Sequence, residues 1–153
     1  AEAGKAGPEP AVRVQRVGAG IGYVVHGLCF QLSDGSRTGA FLRDDKSAMD
    51  LNDDSALALR KVAWQDLEAG EVIVKVDGEN SNFDYLAARI TLHTNKGREI
   101  IFKGTRWEQK HDSTFCIVAP YNEMITEVLF KAGFCLGVRT SPAPCGVPMA
   151  VLP

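Results

Sequence analysis

The strongest constraint on what this chain can fold into is a repeat within it. The stretch Gly27-Leu28-Cys29-Phe30-Gln31-Leu32-Ser33-Asp34-Gly35-Ser36-Arg37 lines up with Arg89-Ile90-Thr91-Leu92-His93-Thr94-Asn95-Lys96-Gly97-Arg98-Glu99. Leu28 matches Ile90, Phe30 matches Leu92, and Gly35 matches Gly97. The period is two, so the apolar set points to one face of a strand, while Cys29, Gln31, Thr91 and His93 point to the other. Each glycine falls where a hairpin turn needs a positive φ, so each copy predicts a β-hairpin. A second correspondence sets Glu71-Val72-Ile73-Val74-Lys75-Val76 against Glu123-Met124-Ile125-Thr126-Glu127-Val128, again alternating. Hairpins and returning strands that recur in this way predict an all-β chain with its sheets around a pseudo-symmetric core.

The segment from Asp53 to Glu68 carries the one helical signal. Asp54-Ser55 reads as a helix cap, but Val62-Ala63-Trp64 followed by Ala69-Gly70 reads as a strand and turn, so at most one helical turn is predicted. Trp64 is expected in core packing. Residues 1–11 are rich in Ala, Gly, Pro and Glu, and residues 141–153 hold four of the seven prolines. Both ends are expected to be tails around a domain spanning residues 12–140.

A chain of 153 residues, 45% hydrophobic and 24% charged, can bury a core without a metal or disulfide. Its net charge of −2 provides no basic excess to neutralise phosphates, which argues against a nucleic-acid partner. No apolar run approaches the 18 or so residues that a spanning helix requires. The start at Ala1, without Met, fits either a removed signal or transit peptide or a partial chain. Cys29, Cys116, Cys135 and Cys145 are spaced unlike any CxxC metal site. In an exported protein a Cys135 to Cys145 bridge would staple the tail; the alternative is four unpaired thiols.

Tests for chemistry return structural readings. Gly18-Ala19-Gly20-Ile21-Gly22-Tyr23 resembles a phosphate loop, but a strand follows it where the motif needs a helix N-terminus, so a tight turn between strands is expected. In Gly35-Ser36-Arg37-Thr38-Gly39 the serine is misplaced for a nucleophile elbow. His26, His93 and His111 lie far apart, with no second ligand at helical spacing. The acidic run from Asp44 to Asp54 has no frame with Gly at position six and Glu at position twelve of a calcium loop. No catalytic residue, metal or cofactor is assigned.

Gly70-Glu71-Val72-Ile73-Val74-Lys75-Val76-Asp77-Gly78 and Ala88-Arg89-Ile90-Thr91-Leu92-His93-Thr94-Asn95 resemble the GEYI-x-x-V-x-G and I-x-x-L-x-F-x-T-N signature of jacalin-related lectins. The stretch from Val17 to Gly35 resembles the family's upstream hairpin. The resemblance covers about residues 12–140. It implies a β-prism I fold, with three four-stranded antiparallel sheets about a pseudo-three-fold axis, that binds sugar without metal through a glycine-rich N-terminal loop and a GxxxD loop. The matching stretch here is Gly133, Phe134, Cys135, Leu136 and Gly137, with Gly137 in place of the aspartate. An ionised carboxylate accepts two charge-assisted hydrogen bonds from a diol, and that acceptor is missing.

The expected function is therefore a non-catalytic jacalin-like module that acts as an accessory or adaptor subunit, its partner another protein chain in a larger assembly. The alternative is a lectin that binds a glycan. Arg106 and Trp107, in an otherwise polar loop, are residue types enriched in interface anchors. With Val147, Met149 and Leu152 of the Pro-rich tail they are the expected partner contacts.

Overall fold

The computed structural model describes residues 12–43, 47–81, 85–105 and 113–143. Ten strands and one short helix occur among them. The first sheet contains β1 (Val14–Ile21), β2 (Val25–Leu32), β3 (Arg37–Phe41) and β4 (Ala63–Asp66), with α1 (Asp54–Leu59) between β3 and β4. The second contains β5 (Ile73–Glu79), β6 (Arg89–Thr94), β7 (Glu99–Lys103) and β8 (Thr114–Val118). A third is formed by β9 (Glu123–Lys131) and β10 (Phe134–Pro142).

The spatial order is β3-β2-β1-β4 in the first sheet and β7-β6-β5-β8 in the second, with antiparallel pairing throughout. Each is a Greek key: three strands joined in succession, and a fourth that returns beside the first. The repeated hairpins are β2-β3 and β6-β7. Their turns close identically, Leu32 N–H donating to Ser36 O and Thr94 N–H to Arg98 O, with Gly35 at φ 91° and Gly97 at φ 78°. The third sheet has two strands among the described residues. Strand β10 runs past Thr140, Ser141 and Pro142 still pairing with Met124 and Glu123.

Inward-facing positions from all three sheets meet in one core. Val17 and Phe30, Val76 and Leu92, and Ile125 and Val128 are all buried in it. Alternation along every strand brings these apolar positions to the axis, and their burial from water is the main stabilising contribution.

Two expectations need correction. The glycine run forms no turn until Gly22, because β1 continues through Ile21. Gly18 and Gly20 sit inside that strand, where side chains from other segments lie against the backbone: a Cβ on Gly18 would come within 2.7 Å of Trp64 and Val62. The helix spans six residues, more than the predicted turn, and its cap is Asp53, whose carboxylate accepts the Ala56 N–H at 3.0 Å. The strand read around Trp64 is β4, and Trp64 packs against the small cluster of Cys29, Phe41, Met49 and Leu57, with the Arg16 guanidinium 3.9 Å over its ring.

Candidate binding site

The two hairpin copies differ in what covers their outer faces. In β2, Cys29 points outward and is fully buried, because residues 47–62 with α1 lie over that face and contribute Met49 and Leu57. The matching positions in β6 are Arg89, Thr91 and His93, and over them is an open cleft of about 390 Å³.

Strand register builds that cleft in three rows. Glu79, Arg89 and Lys103 lie side by side across β5, β6 and β7, with Thr114 of β8 flanking Glu79. Asp77, Thr91 and Ile101 form the next row, and Lys75, His93 and Glu99 the last. Each strand directs alternate residues outward, so these polar side chains stand over a floor whose other face is Val76, Ile90 and Leu92.

The side chains hold one another in place. Arg89 donates to Asp77 Oδ1 at 2.9 Å, to Glu79 Oε2 at 3.1 Å and to Thr91 Oγ1 at 2.6 Å. His93 Nε2 hydrogen-bonds the other oxygen of Asp77, and its Nδ1 lies 3.6 Å from Glu99. Glu79 is only 7% exposed at the side chain, although it belongs to the outward row. Burial pushes the Asp77 carboxyl upward, but hydrogen bonds and charge from His93 and Arg89 outweigh that and hold it below the usual carboxylate range. Burial likewise disfavours the Arg89 cation, and Asp77 and Glu79 more than compensate. Asp77 and Arg89 are thus held in place as an ion pair, with both ring nitrogens of His93 facing carboxylates and none aligned on a nucleophile. Among the described residues no group of three or more His, Cys, Asp or Glu side chains is arranged to hold a metal ion.

The stretch read as a degenerate sugar loop is not a loop. Ala132 and Gly133, at φ 52° and 85°, form the two-residue turn of the β9-β10 hairpin, and Phe134, Cys135, Leu136 and Gly137 lie within β10. The Gly133 N–H donates to Tyr85 O, its carbonyl accepts the Ser81 N–H, and the Cys135 N–H donates to Asn80 Oδ1. The Gly133 and Cys135 N–H groups, which could have met a ligand, are therefore occupied. Cys135 is a free thiol among the described residues, and Cys145, its partner in the bridge considered from the sequence, lies outside them. Cys29 and Cys116 are also free. Arg106, Trp107, His111, Cys145, Val147, Met149 and Leu152 lie outside the described residues.

No protein-family model matches the sequence, and no curated protein matches it significantly. Solved structures do match. A prostate-specific glycoprotein lectin superposes with a TM-score of 0.57 at 12% identity, covering 92% of this chain and 97% of that one. Malaysian banana lectin superposes with a TM-score of 0.56 at 17% identity, over 91% and 93%. A mannose-binding jacalin-related lectin from Ananas comosus gives 0.52 at 13% identity, over 91% and 88%. The chain has the jacalin-related lectin fold.

Within this jacalin-like prism the residues that carried the sequence resemblance are structural. Asn95 Oδ1 accepts the Val72 N–H at 2.9 Å and its amide donates to Gly70 O, so the Thr-Asn turn of β6-β7 clasps the chain entering β5. Restoring an aspartate at the degraded position should fail. A Cβ on Gly137 meets open space, but the residue sits at φ 150°, which L side chains rarely adopt. Gly137→Asp is expected to cost about 1–3 kcal/mol in urea unfolding, and glycan-array binding should not rise, because the Gly133 and Cys135 donors stay occupied.

Sequence reading passed over the cleft. Its signal was present in the alternation, since outward positions on three consecutive strands are all polar except Ile101, but strand register was needed to bring 77, 79, 89, 93, 99 and 103 together.

Proposed function

We propose that the protein is a carbohydrate-binding module of the lectin type with no catalytic role. The observation that carries this reading is the fold: the prism matches proteins described as lectins, one of them as mannose-binding, over nine-tenths of the chain. The His93 geometry supports the non-catalytic part, since an imidazole held between two carboxylates activates no hydroxyl or thiol. Lost donors at the β9-β10 turn argue against the usual grip, not against sugar binding elsewhere on the same scaffold.

The second reading, an adaptor that meets another protein chain, is favoured by a different observation. Strand β10 exposes Phe134 at 50% and Leu136 at 65%, adjacent alternate positions on one face.

A glycan array that includes mannose- and galactose-terminated oligosaccharides separates the two. Binding to a defined glycan that free sugar competes away is the expected result. Absence of binding on the array, with retention of a protein partner that Phe134→Ala with Leu136→Ala releases, would replace the lectin reading by the adaptor one.

A further inference from the structure

We propose that the sugar site lies in the cleft on the outer face of β5, β6 and β7, where Asp77, Glu79, Arg89, Thr91, Glu99 and Lys103 grip a neutral, polyhydroxylated ligand of monosaccharide size without a metal. This inference rests on the lectin reading and places its site on a sheet face, away from the β9-β10 turn.

Four observations carry it. The volume, about 390 Å³, falls within the range of small-ligand pockets. The mixture of groups suits a polyol, because each sugar hydroxyl donates once and accepts, and the cleft offers carboxylate acceptors beside ammonium and guanidinium donors. Ile101, in the Asp77 row, supplies one apolar contact for the C–H face of a ring. Internal pairing decides the ligand's charge: Arg89 lies between Asp77 and Glu79, and the third carboxylate, Glu99, shares the cleft with Lys103, so most of the charge in the lining is met by charge within it. An ion would disrupt those pairs; a neutral polyol can add its hydrogen bonds to them.

Preorganisation makes the site competent. Strand pairing fixes the backbone, and the Arg89 hydrogen bonds fix the side chains beneath the ligand before it arrives, which removes most of the ordering cost of binding. The equivalent face of the first sheet is closed by α1 and the apolar side chains around Cys29, so the pseudo-repeat leaves this face open and fills the other.

The test uses the full chain, with methyl α-mannoside and methyl β-galactoside as probes in ligand-observed NMR and calorimetry. The double substitution Glu99→Ala with Lys103→Ala alters the rim and spares the buried part of the network, and circular dichroism confirms that it folds. Affinity for the bound glycoside is expected to fall tenfold or more, while the Phe134→Ala, Leu136→Ala control retains wild-type affinity. Amide shifts on titration should cluster in β5, β6 and β7. Wild-type affinity in the rim variant, or shifts confined to the β9-β10 turn, would overturn the location and leave the lectin reading standing. No binding of either probe or of any glycan on the array would overturn both.

Discussion

Glu71→Ala is expected to lower stability by about 3 kcal/mol, read as a shift of the urea midpoint at unchanged m-value, although Glu71 lies outside the cleft. Its carboxylate is 1% exposed and joins two sheets. Oε1 accepts the Glu68 N–H at 2.9 Å and one Arg98 nitrogen at 3.0 Å, and Oε2 accepts Arg98 Nε at 3.1 Å. Arg98 in turn donates to Asp66 O at the end of β4 at 2.6 Å. Removing the acid leaves the Glu68 N–H and the guanidinium short of acceptors, and an unmade buried hydrogen bond costs more than a made one contributes. Arg98 is 36% exposed and recovers some hydration, which holds the loss at the lower end of the range for broken buried pairs. Glu71→Gln, which keeps one acceptor oxygen, should lose less.

The same carboxylate predicts a pH dependence. Burial raises its pKa, but the Glu68 N–H, Thr94 and Arg98 together hold it below the ordinary value of 4.5. A folded-state pKa below the unfolded one means that the unfolded chain binds the proton more readily. Glu71 therefore contributes its full stabilisation above about pH 4.5, and the contribution is lost as pH falls through the folded value. Stability plotted against pH should drop more steeply on its acid side for the wild type than for Glu71→Ala. Parallel acid limbs would show that the carboxylate is not held in this way.

Glu71 also shows where sequence reading reached and where it stopped. The two hairpins were legible because period-two alternation and positively twisted glycines at 35 and 97 are local signals, and local signals fix a hairpin's register. Greek-key order was not legible: which strand returns beside β1 or β5 depends on contacts between positions such as Arg16 and Asp66, fifty residues apart. The resemblance brought out Glu71 and Asn95 as parts of a signature, but only the contacts show that Glu71, through Arg98 and Asp66, ties one sheet to the next and that Asn95 holds Val72 at the entry to β5. The cleft was missed for a related reason. Gly133 to Gly137 has the sequence of a ligand loop, yet the Gly133 and Cys135 N–H groups are taken by Tyr85 and Asn80, residues of a distant segment. The cleft, conversely, has no contiguous motif, since its residues are contributed singly by alternate positions of different strands.

Gly78→Ala should be the most damaging small substitution in the second sheet, costing about 3 kcal/mol or preventing folding altogether. Gly78 lies in β5 between Asp77 and Glu79, paired with Ile90 on one side and Phe115 on the other. A Cβ placed there would come 2.1 Å from the Arg89 carbonyl oxygen and 2.6 Å from Phe115 Cζ. A side chain can rotate away, but the carbonyl belongs to the backbone of the neighbouring strand, so relief requires β5 and β6 to separate. That separation would shift Arg89 relative to Asp77 and Glu79 and open the floor of the cleft. Thermal unfolding should show the loss directly, and if enough folded protein remains, glycoside binding should weaken together with stability. Gly35→Ala is the comparison: it too carries a φ cost, at 91°, but its Cβ meets nothing within 4 Å and it lies at a turn remote from the cleft. It should therefore destabilise by only about 1 kcal/mol and leave binding intact. Equal losses in the two variants would mean that the close approach of β6 to Gly78 is not what requires a glycine there.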